Sequence, residues 1–405
     1  PISLVGDMNV LELWHGPTCA FKDLALQLLP YLLTTSAKKT AAGKKTVILV
    51  ATSGDTGKAA LEGFCDVPDT EIIVFYPSDG VSPMQKLQMD SQKGGNVHVV
   101  AIRGNFDDAQ SGVKKIFTDN AVKQRLDENG MQFSSANSIN WGRLAPQIVY
   151  YVSAYCDMLN RGENMKNGFN VVVPTGNFGN ILAAYYAKKM GVPISKLICA
   201  SNSNNVLTDF IRTGVYDRNR KFYTTVSPSM DILISSNLER MLFELSGEDD
   251  KAVAKMQAEL SKSGVFKVSN EIKNKMEELF WGGCCDDDAT LKTIGDVFKE
   301  YGYLCDTHTA VAVNVYGQYK TATGDNKPAV IASTASPYKF ADSVLKAVSD
   351  ENAGSEFGNV RLLNKITAAE IPAPLKALES AKVRFNEICD KDKMLNAVYS
   401  ALEIK

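Results

Sequence analysis

Five consecutive apolar residues, Val47-Ile48-Leu49-Val50-Ala51, are followed within a few positions by a stretch that reads as a helix start at 58–64. The alternation recurs. An apolar run at 71–76 precedes a helical stretch at 82–93, 96–102 precedes 107–126, 132–137 precedes 142–159, and 169–173 precedes 181–190. Further strand-like runs lie at Val10-Leu11-Glu12-Leu13-Trp14, 196–200 and 329–333. Runs without polar interruption belong to strands covered on both faces, which parallel sheets between helices provide. Repeated strand-then-helix units therefore predict an α/β fold. From about 231 to 302 the pattern is mainly helical, with a charged stretch at 248–251 and a Gly-Gly-Cys-Cys-Asp break at 282–286. That region is expected to cap or extend an α/β domain and is assigned no chemistry. No internal repeat or low-complexity tract is visible.

Three turns have residue types suited to chemistry. His15-Gly16-Pro17-Thr18-Cys19-Ala20-Phe21-Lys22-Asp23 opens an apolar helix at 24–33, with Pro17 suited to a loop or first turn and Thr18 to a cap. A helix N-terminus and burial both disfavour positive charge, so they push Lys22 toward the neutral amine that attacks an aldehyde. The competing reading is a solvated lysine paired with Asp23. Thr52-Ser53-Gly54-Asp55-Thr56-Gly57 lies between a strand and a helix, where glycines admit a ligand and free N–H groups favour an anion. It is not a P-loop, because Gly57-Lys58 is followed by Ala59 and Gly54 is too close. Pro174-Thr175-Gly176-Asn177-Phe178-Gly179-Asn180 can form a nest of backbone amides, and it lacks the dinucleotide-binding glycine spacing. Two such turns at strand C-termini point to one crevice for a small phosphorylated ligand.

Composition narrows the partners. At 405 residues the chain has room for two or three domains, and 44 basic against 46 acidic residues give a net charge of −2. That balance speaks against nucleic acid or an acidic membrane as the main partner, so any anion must be gripped locally. The eight cysteines are scattered apart from Cys284 and Cys285, with no CxxC pair and no zinc-ligand spacing. No metal site is expected, and a cytoplasmic protein with reduced thiols is. No apolar run approaches the roughly 18 residues of a membrane span. Pro1 is not an initiator and no signal core follows it, so the chain reads as lacking an N-terminal piece.

Together these segments resemble the threonine synthase family, within the pyridoxal 5'-phosphate (PLP) enzymes built like the tryptophan synthase β-subunit (fold type II). L-E-L-W-H-G-P-T-C-A-F-K-D, ending at Asp23, is similar to the family's cofactor-lysine motif. T-S-G-D-T-G at 52–57 resembles its substrate loop, and P-T-G-N-F-G-N at 174–180 its cofactor-phosphate loop. Ser134-Ser135-Ala136-Asn137-Ser138-Ile139-Asn140-Trp141-Gly142-Arg143, Asp306-Thr307-His308-Thr309-Ala310 and Ala332-Ser333-Thr334-Ala335 fit the same family in the same order. Two features depart from it. Only the tail of a further N-terminal region is present, and Ser336-Pro337-Tyr338-Lys339-Phe340 stands where His-Pro is common.

The resemblance implies a Schiff base between Lys22 and the PLP aldehyde. It implies a cofactor phosphate resting on Gly176, Asn177, Phe178, Gly179 and Asn180, and a pyridine nitrogen met by Ser333 or Thr334, of which Thr334 is favoured. Ser53, Gly54, Asp55 and Thr56 would face the substrate amino acid or the ring oxygen. The implied substrate is O-phospho-L-homoserine, its phosphate met by Asn137, Ser138, Asn140 and Arg143, with Lys339 a weaker candidate. Arg143 reads alternatively as a helix-face residue in an ion pair, and Asn140 as a cap ahead of Trp141. His15 and His308 read as structural before catalytic.

The implied reaction is γ-elimination of phosphate and addition of water at Cβ, giving L-threonine. The alternatives are a related phospho-lyase releasing 2-oxobutyrate, a serine/threonine dehydratase of the same fold, and a catalytically dead binding protein. The expected layout is a larger PLP domain from 1–36 and 155–405 and a smaller α/β domain at 37–154, with the site between them, in a monomer or homodimer.

Overall fold

In the computed structural model, which describes residues 1–40 and 43–404, the apolar runs become strands of two separate sheets. The strands are β1 (Ile2–Val5), β2 (Met8–Glu12), β3 (Lys45–Ala51), β4 (Thr70–Pro77), β5 (Val97–Arg103) and β6 (Met131–Ser134). They continue with β7 (Phe169–Pro174), β8 (Ile194–Ser201), β9 (Val215–Asp217), β10 (Val265–Lys267), β11 (Phe280–Cys284), β12 (Ala329–Ser333) and β13 (Ile388–Asp390).

One unit comprises Trp14–Pro146 and the chain from Ile371 onward. Its five strands run in the order β13-β5-β4-β3-β6, all parallel. Side chains alternate across a strand with period two, and both faces here are apolar. Val47, Leu49, Ile73, Phe75, Val100 and Ile102 pack with Val113, Leu126 and Val398, while Ile48, Val50, Ile72, Val74 and Val99 pack with Leu26, Leu29, Leu61 and Phe64 on the other side. The helix Lys22–Thr40 therefore belongs to this sheet, and so does the C-terminal segment, through β13 and the helix Met394–Ala401. Residues 14–36 and the segment after 371 were expected in the larger domain. The division places them here, because a helix goes where its apolar stripe is covered.

The other unit comprises Pro1–Leu13 and Gln147–Glu370. Its six-stranded sheet has the order β1-β2-β12-β7-β8-β11, parallel except for the β1–β2 hairpin, with β9 and β10 forming a separate antiparallel pair. Residues 282–284, expected as part of the break at 282–286 in a helical region, belong to the edge strand β11, which pairs with β8. Its glycines hide the strand signal yet serve packing: a Cβ on Gly282 would stand 3.1 Å from Thr208 Cα. The single helix expected at 107–126 is two, Phe106–Thr118 and Asn120–Glu128. Asp119 between them leaves helical geometry (φ −74, ψ 117) and its carboxylate accepts from the amides of Ala121 and Val122, a capping arrangement that competes with helix continuation. Among the described residues no helix is long and apolar enough to cross a membrane.

Candidate active site

The lysine motif is folded around Asp23, not Lys22. Asp23 is 3% exposed and its carboxylate accepts from the amide of Thr18 at 2.9 Å and from the Thr18 hydroxyl. Gln88 Nε2 donates to the Thr18 carbonyl at 3.3 Å. Thr18 thus satisfies a buried acid four residues before the helix and does not cap it. With Asp23 turned inward, Lys22 begins the helix Lys22–Thr40 and faces elsewhere: its Nζ lies 3.8 Å from Asp55 Oδ2 and 5.3 Å from the Phe21 ring, with the side chain 11% exposed. The carboxylate that the structure sets beside the Lys22 amine is that of Asp55. His15 is exposed and stacks on Trp14 at 4.1 Å.

Asp55 opens the helix Asp55–Phe64. The preceding turn is tied by Thr52, whose hydroxyl accepts from the amides of Gly54 at 3.0 Å and Gly57 at 2.8 Å. Ser53 and Thr56 are half-buried beside it. Asp55 Oδ1 accepts from Gln85 Nε2 at 2.8 Å. Gly54 sits at φ 130, and a Cβ there would stand 2.5 Å from the buried Gln85 amide. Gly54→Ala is therefore expected to cost about 1–3 kcal/mol through backbone strain and crowding, read as a lowered Tm. An unchanged melting curve would show that the turn tolerates a side chain.

The segment 134–143 is internally bonded. Asn140 Nδ2 donates to the Ser135 carbonyl at 2.9 Å and Oδ1 accepts from the amide of Gly142 at 2.9 Å. Asn140 is thereby the cap of the helix Trp141–Asn160. Arg143 is 2% exposed and one guanidinium nitrogen donates to the Ala136 carbonyl at 2.6 Å, so it braces the segment from within. Asn137 and Ser138 are half-buried in the same segment.

In the other unit, Pro174-Thr175-Gly176-Asn177-Phe178 joins β7 to the helix Gly179–Lys189. The Gly176 carbonyl accepts from the Ser235 hydroxyl at 2.8 Å, and the Asn177 carbonyl accepts from Asn237 through its amide at 3.1 Å and its Nδ2 at 3.0 Å. A trans peptide points its N–H away from its C=O, so these anchors turn the amides of Asn177 and Phe178 to the opposite side. The backbone amides of residues 176–180 have no partner among the described residues. Phe178 adopts a left-handed conformation (φ 62), unusual for a bulky residue, with its ring 5.6 Å from that of Phe280. Asn180 Oδ1 accepts from the Tyr151 hydroxyl, which burial pushes up and keeps protonated, while Asn180 Nδ2 is buried without a partner. A row of unpartnered amides and a side-chain donor at the start of an 11-residue helix is a site for an anion such as the PLP phosphate, and the residues fit that group.

Ser333 ends β12, and its hydroxyl accepts from Thr309 Oγ1 at 3.1 Å. Thr334 is 6% exposed and its hydroxyl bonds to nothing among the described residues. Asp306 caps the helix Thr307–Thr323 and receives His308 Nδ1 at 2.8 Å, while His308 Nε2 accepts from the amide of Ser229 at 3.2 Å. Donation to Nε2 fixes the proton on Nδ1. His308 is thus a brace for Ser229, whose carbonyl would lie 2.9 Å from a Cβ on Gly176. Lys339 is fully buried in the turn Pro337–Phe340 of this unit.

The structure thus gathers the sequence-selected residues in two groups. Lys22, Ser53, Gly54, Asp55, Thr56, Asn137, Ser138, Asn140 and Arg143 lie in one unit, and 176–180, Ser333 and Thr334 in the other. Thr52 was read only as part of its turn, without a role, and Gln85, Tyr151, Ser235 and Asn237 were not selected. Of these four only Gln85 has a local signal, the capping box Ser82-Pro83-Met84-Gln85.

The family described as pyridoxal-phosphate dependent enzyme matches residues 10–266, and that described as threonine synthase, C-terminal, matches 309–398. Threonine synthase-like 1 of Homo sapiens is 43% identical over 353 residues, which is 85% of this chain and 47% of that protein. The chain spans about half the length of that relative. Threonine synthase of Saccharomyces cerevisiae is 37% identical over 418 residues, covering 98% of this chain and 78% of its own. The crystal structure of PLP-bound threonine synthase from Brucella melitensis aligns with a TM-score of 0.85 at 38% identity, covering 100% of this chain and 80% of that one.

Proposed function

This chain belongs to the pyridoxal-phosphate-dependent enzymes of the threonine synthase family, and on that premise we propose that it converts O-phospho-L-homoserine and water to L-threonine and phosphate, with Lys22 as the cofactor-bearing and proton-moving residue. The observation that carries the reading is the Lys22 amine, withdrawn from solvent at a helix start and 3.8 Å from the Asp55 carboxylate. When bound, the cofactor supplies an aldehyde for an amine to condense with and a ring that absorbs electrons from the substrate.

The chain's own residues then divide the work. Lys22 Nζ, freed when the substrate amine takes its place, removes the α-proton. Asp55 holds Lys22 Nζ in position beforehand. The amides of 176–180 and Asn180 Nδ2 hold the cofactor phosphate, and the Thr334 hydroxyl meets the ring nitrogen as a neutral partner. Ser53, Gly54, Thr56, Asn137 and Ser138 receive the substrate, and Arg143 acts by bracing the 134–140 segment. Asn140 serves as a helix cap. Eight free cysteines suit a reducing, cytoplasmic setting.

Ser336 is the feature that favours a second reading. It replaces the family's usual histidine, is fully buried, and accepts from the Tyr338 amide at 3.4 Å. The second reading is a related lyase that releases 2-oxobutyrate. Product analysis separates the two. With PLP and phosphohomoserine, threonine and phosphate are expected in equal amounts. Accumulation of 2-oxobutyrate without threonine would replace synthesis by simple elimination, and turnover of unphosphorylated serine or threonine alone would make the protein a dehydratase.

A further inference from the structure

We infer that Gln85, which lies in none of the family motifs quoted above, is the positioning residue that holds Asp55 against Lys22. The inference rests on the role of Lys22 proposed above and adds to it. Gln85 is fully buried in the first turn of the helix Pro83–Asp90. Its Oε1 accepts from the amide of Ser82 at 3.2 Å, and its own amide donates to Ser82 Oγ at 3.2 Å. Those two bonds are a capping box and would be complete with nothing beyond them. Capping leaves Nε2 unexplained. Nε2 donates to Asp55 Oδ1 at 2.8 Å, across 30 residues of chain.

The orientation of this amide is determined from both ends. A rotated amide would set its oxygen against the carboxylate and its NH2 against the Ser82 N–H, so only one placement satisfies all partners. With Oδ1 fixed by Gln85, Asp55 Oδ2 is the oxygen 3.8 Å from Lys22 Nζ. The position of Gly54 agrees with this, because a Cβ there would collide with the Gln85 amide at 2.5 Å. A carboxylate at this range favours the charged amine over the neutral one. The direction Asp55 faces therefore sets when Lys22 gives up its proton, and Gln85 sets that direction.

The test reads the protonation of Lys22 directly. The full chain, without added cofactor, is treated with an amine-acylating reagent across a pH series, and modification of Lys22 is followed by mass spectrometry. Gln85→Met removes the donor and frees Asp55 to turn away; the midpoint of the Lys22 labelling curve is expected to fall by about one pH unit. In an Asp55→Asn background, which has no carboxylate left to aim, Gln85→Met is expected to leave the midpoint where Asp55→Asn alone puts it. A fall that needs Asp55 supports the positioning role. An unmoved midpoint in Gln85→Met, or the same fall with and without the Asp55 carboxylate, overturns it, since capping and packing alone predict only a lower Tm. Visible absorbance on adding PLP is recorded in parallel. If wild type shows none, the cofactor assignment fails, while the labelling curves still decide the role of Gln85.

Discussion

Lys22→Ala is expected to abolish the visible absorbance that the wild type gains with PLP, and to lower threonine formation from phosphohomoserine by at least roughly 10⁴-fold. A positioned general base alone contributes up to about 10⁴-fold, and Lys22 is also assigned the covalent hold on the cofactor. The substitution is structurally mild. The fold of the motif depends on the Asp23 carboxylate and its bonds to Thr18, none of which involves the Lys22 side chain. Alanine is also the best helix former at the position it would occupy. The melting temperature should therefore stay near that of the wild type, which separates lost chemistry from lost fold. One cost remains, because Asp55 is 4% exposed and would lose its cation. Lys22→Arg controls for that: it restores a positive charge beside Asp55 and still cannot condense with an aldehyde, so it too should lack the band. An alanine variant that keeps both the band and turnover would remove Lys22 from the site.

The parts of the fold that could be read from the sequence are those whose signal is local. Residues 47–51, 72–76 and 99–102 are unbroken apolar runs because helices cover both faces of the β3–β4–β5 sheet, as the two buried clusters around them show. Three features had no local signal. β11 is written in glycine, whose value there is the absence of a Cβ near Thr208. β13 is three residues long, too short to carry a period, yet it draws the C-terminal segment onto β5. The helix break at Asp119 depends on one carboxylate choosing backbone amides over solvent.

The site divides in the same way. Turns at strand C-termini are visible as glycine and small polar residues, so Lys22, 52–57 and 174–180 could be selected before any coordinates. The family resemblance then supplied roles that spacing alone could not. What holds those turns was invisible, because Gln85 reaches Asp55 and Ser235 reaches Gly176 across 30 and 59 residues with no pattern linking them. Lys22 also shows a limit of local reasoning. A helix start and burial favour the neutral amine, and the nearby carboxylate, unreadable from the motif, acts the other way.

Pyridoxal without its phosphate is expected to bind on the order of 10³-fold more weakly than PLP, a difference of about 4 kcal/mol. The amides of residues 176–180 and Asn180 Nδ2 are donors with no partner among the described residues. A buried donor left unsatisfied costs about 1–3 kcal/mol, and a hydrogen bond to a charged acceptor returns about 1.5–3 kcal/mol. Two or three such bonds, less the desolvation of the phosphate, reach the stated difference. The turn contributes no lysine or arginine between Pro174 and Asn180, so the grip comes from backbone amides and the helix N-terminus. It is also preformed, since Ser235 and Asn237 clamp the carbonyls that aim those amides. The measurement is the cofactor concentration giving half of the visible band, compared for the two aldehydes. Inorganic phosphate added with pyridoxal should recover part of the loss by filling the nest separately. Pyridoxal binding within tenfold of PLP, with no response to phosphate, would mean that these amides serve the loop and not an anion.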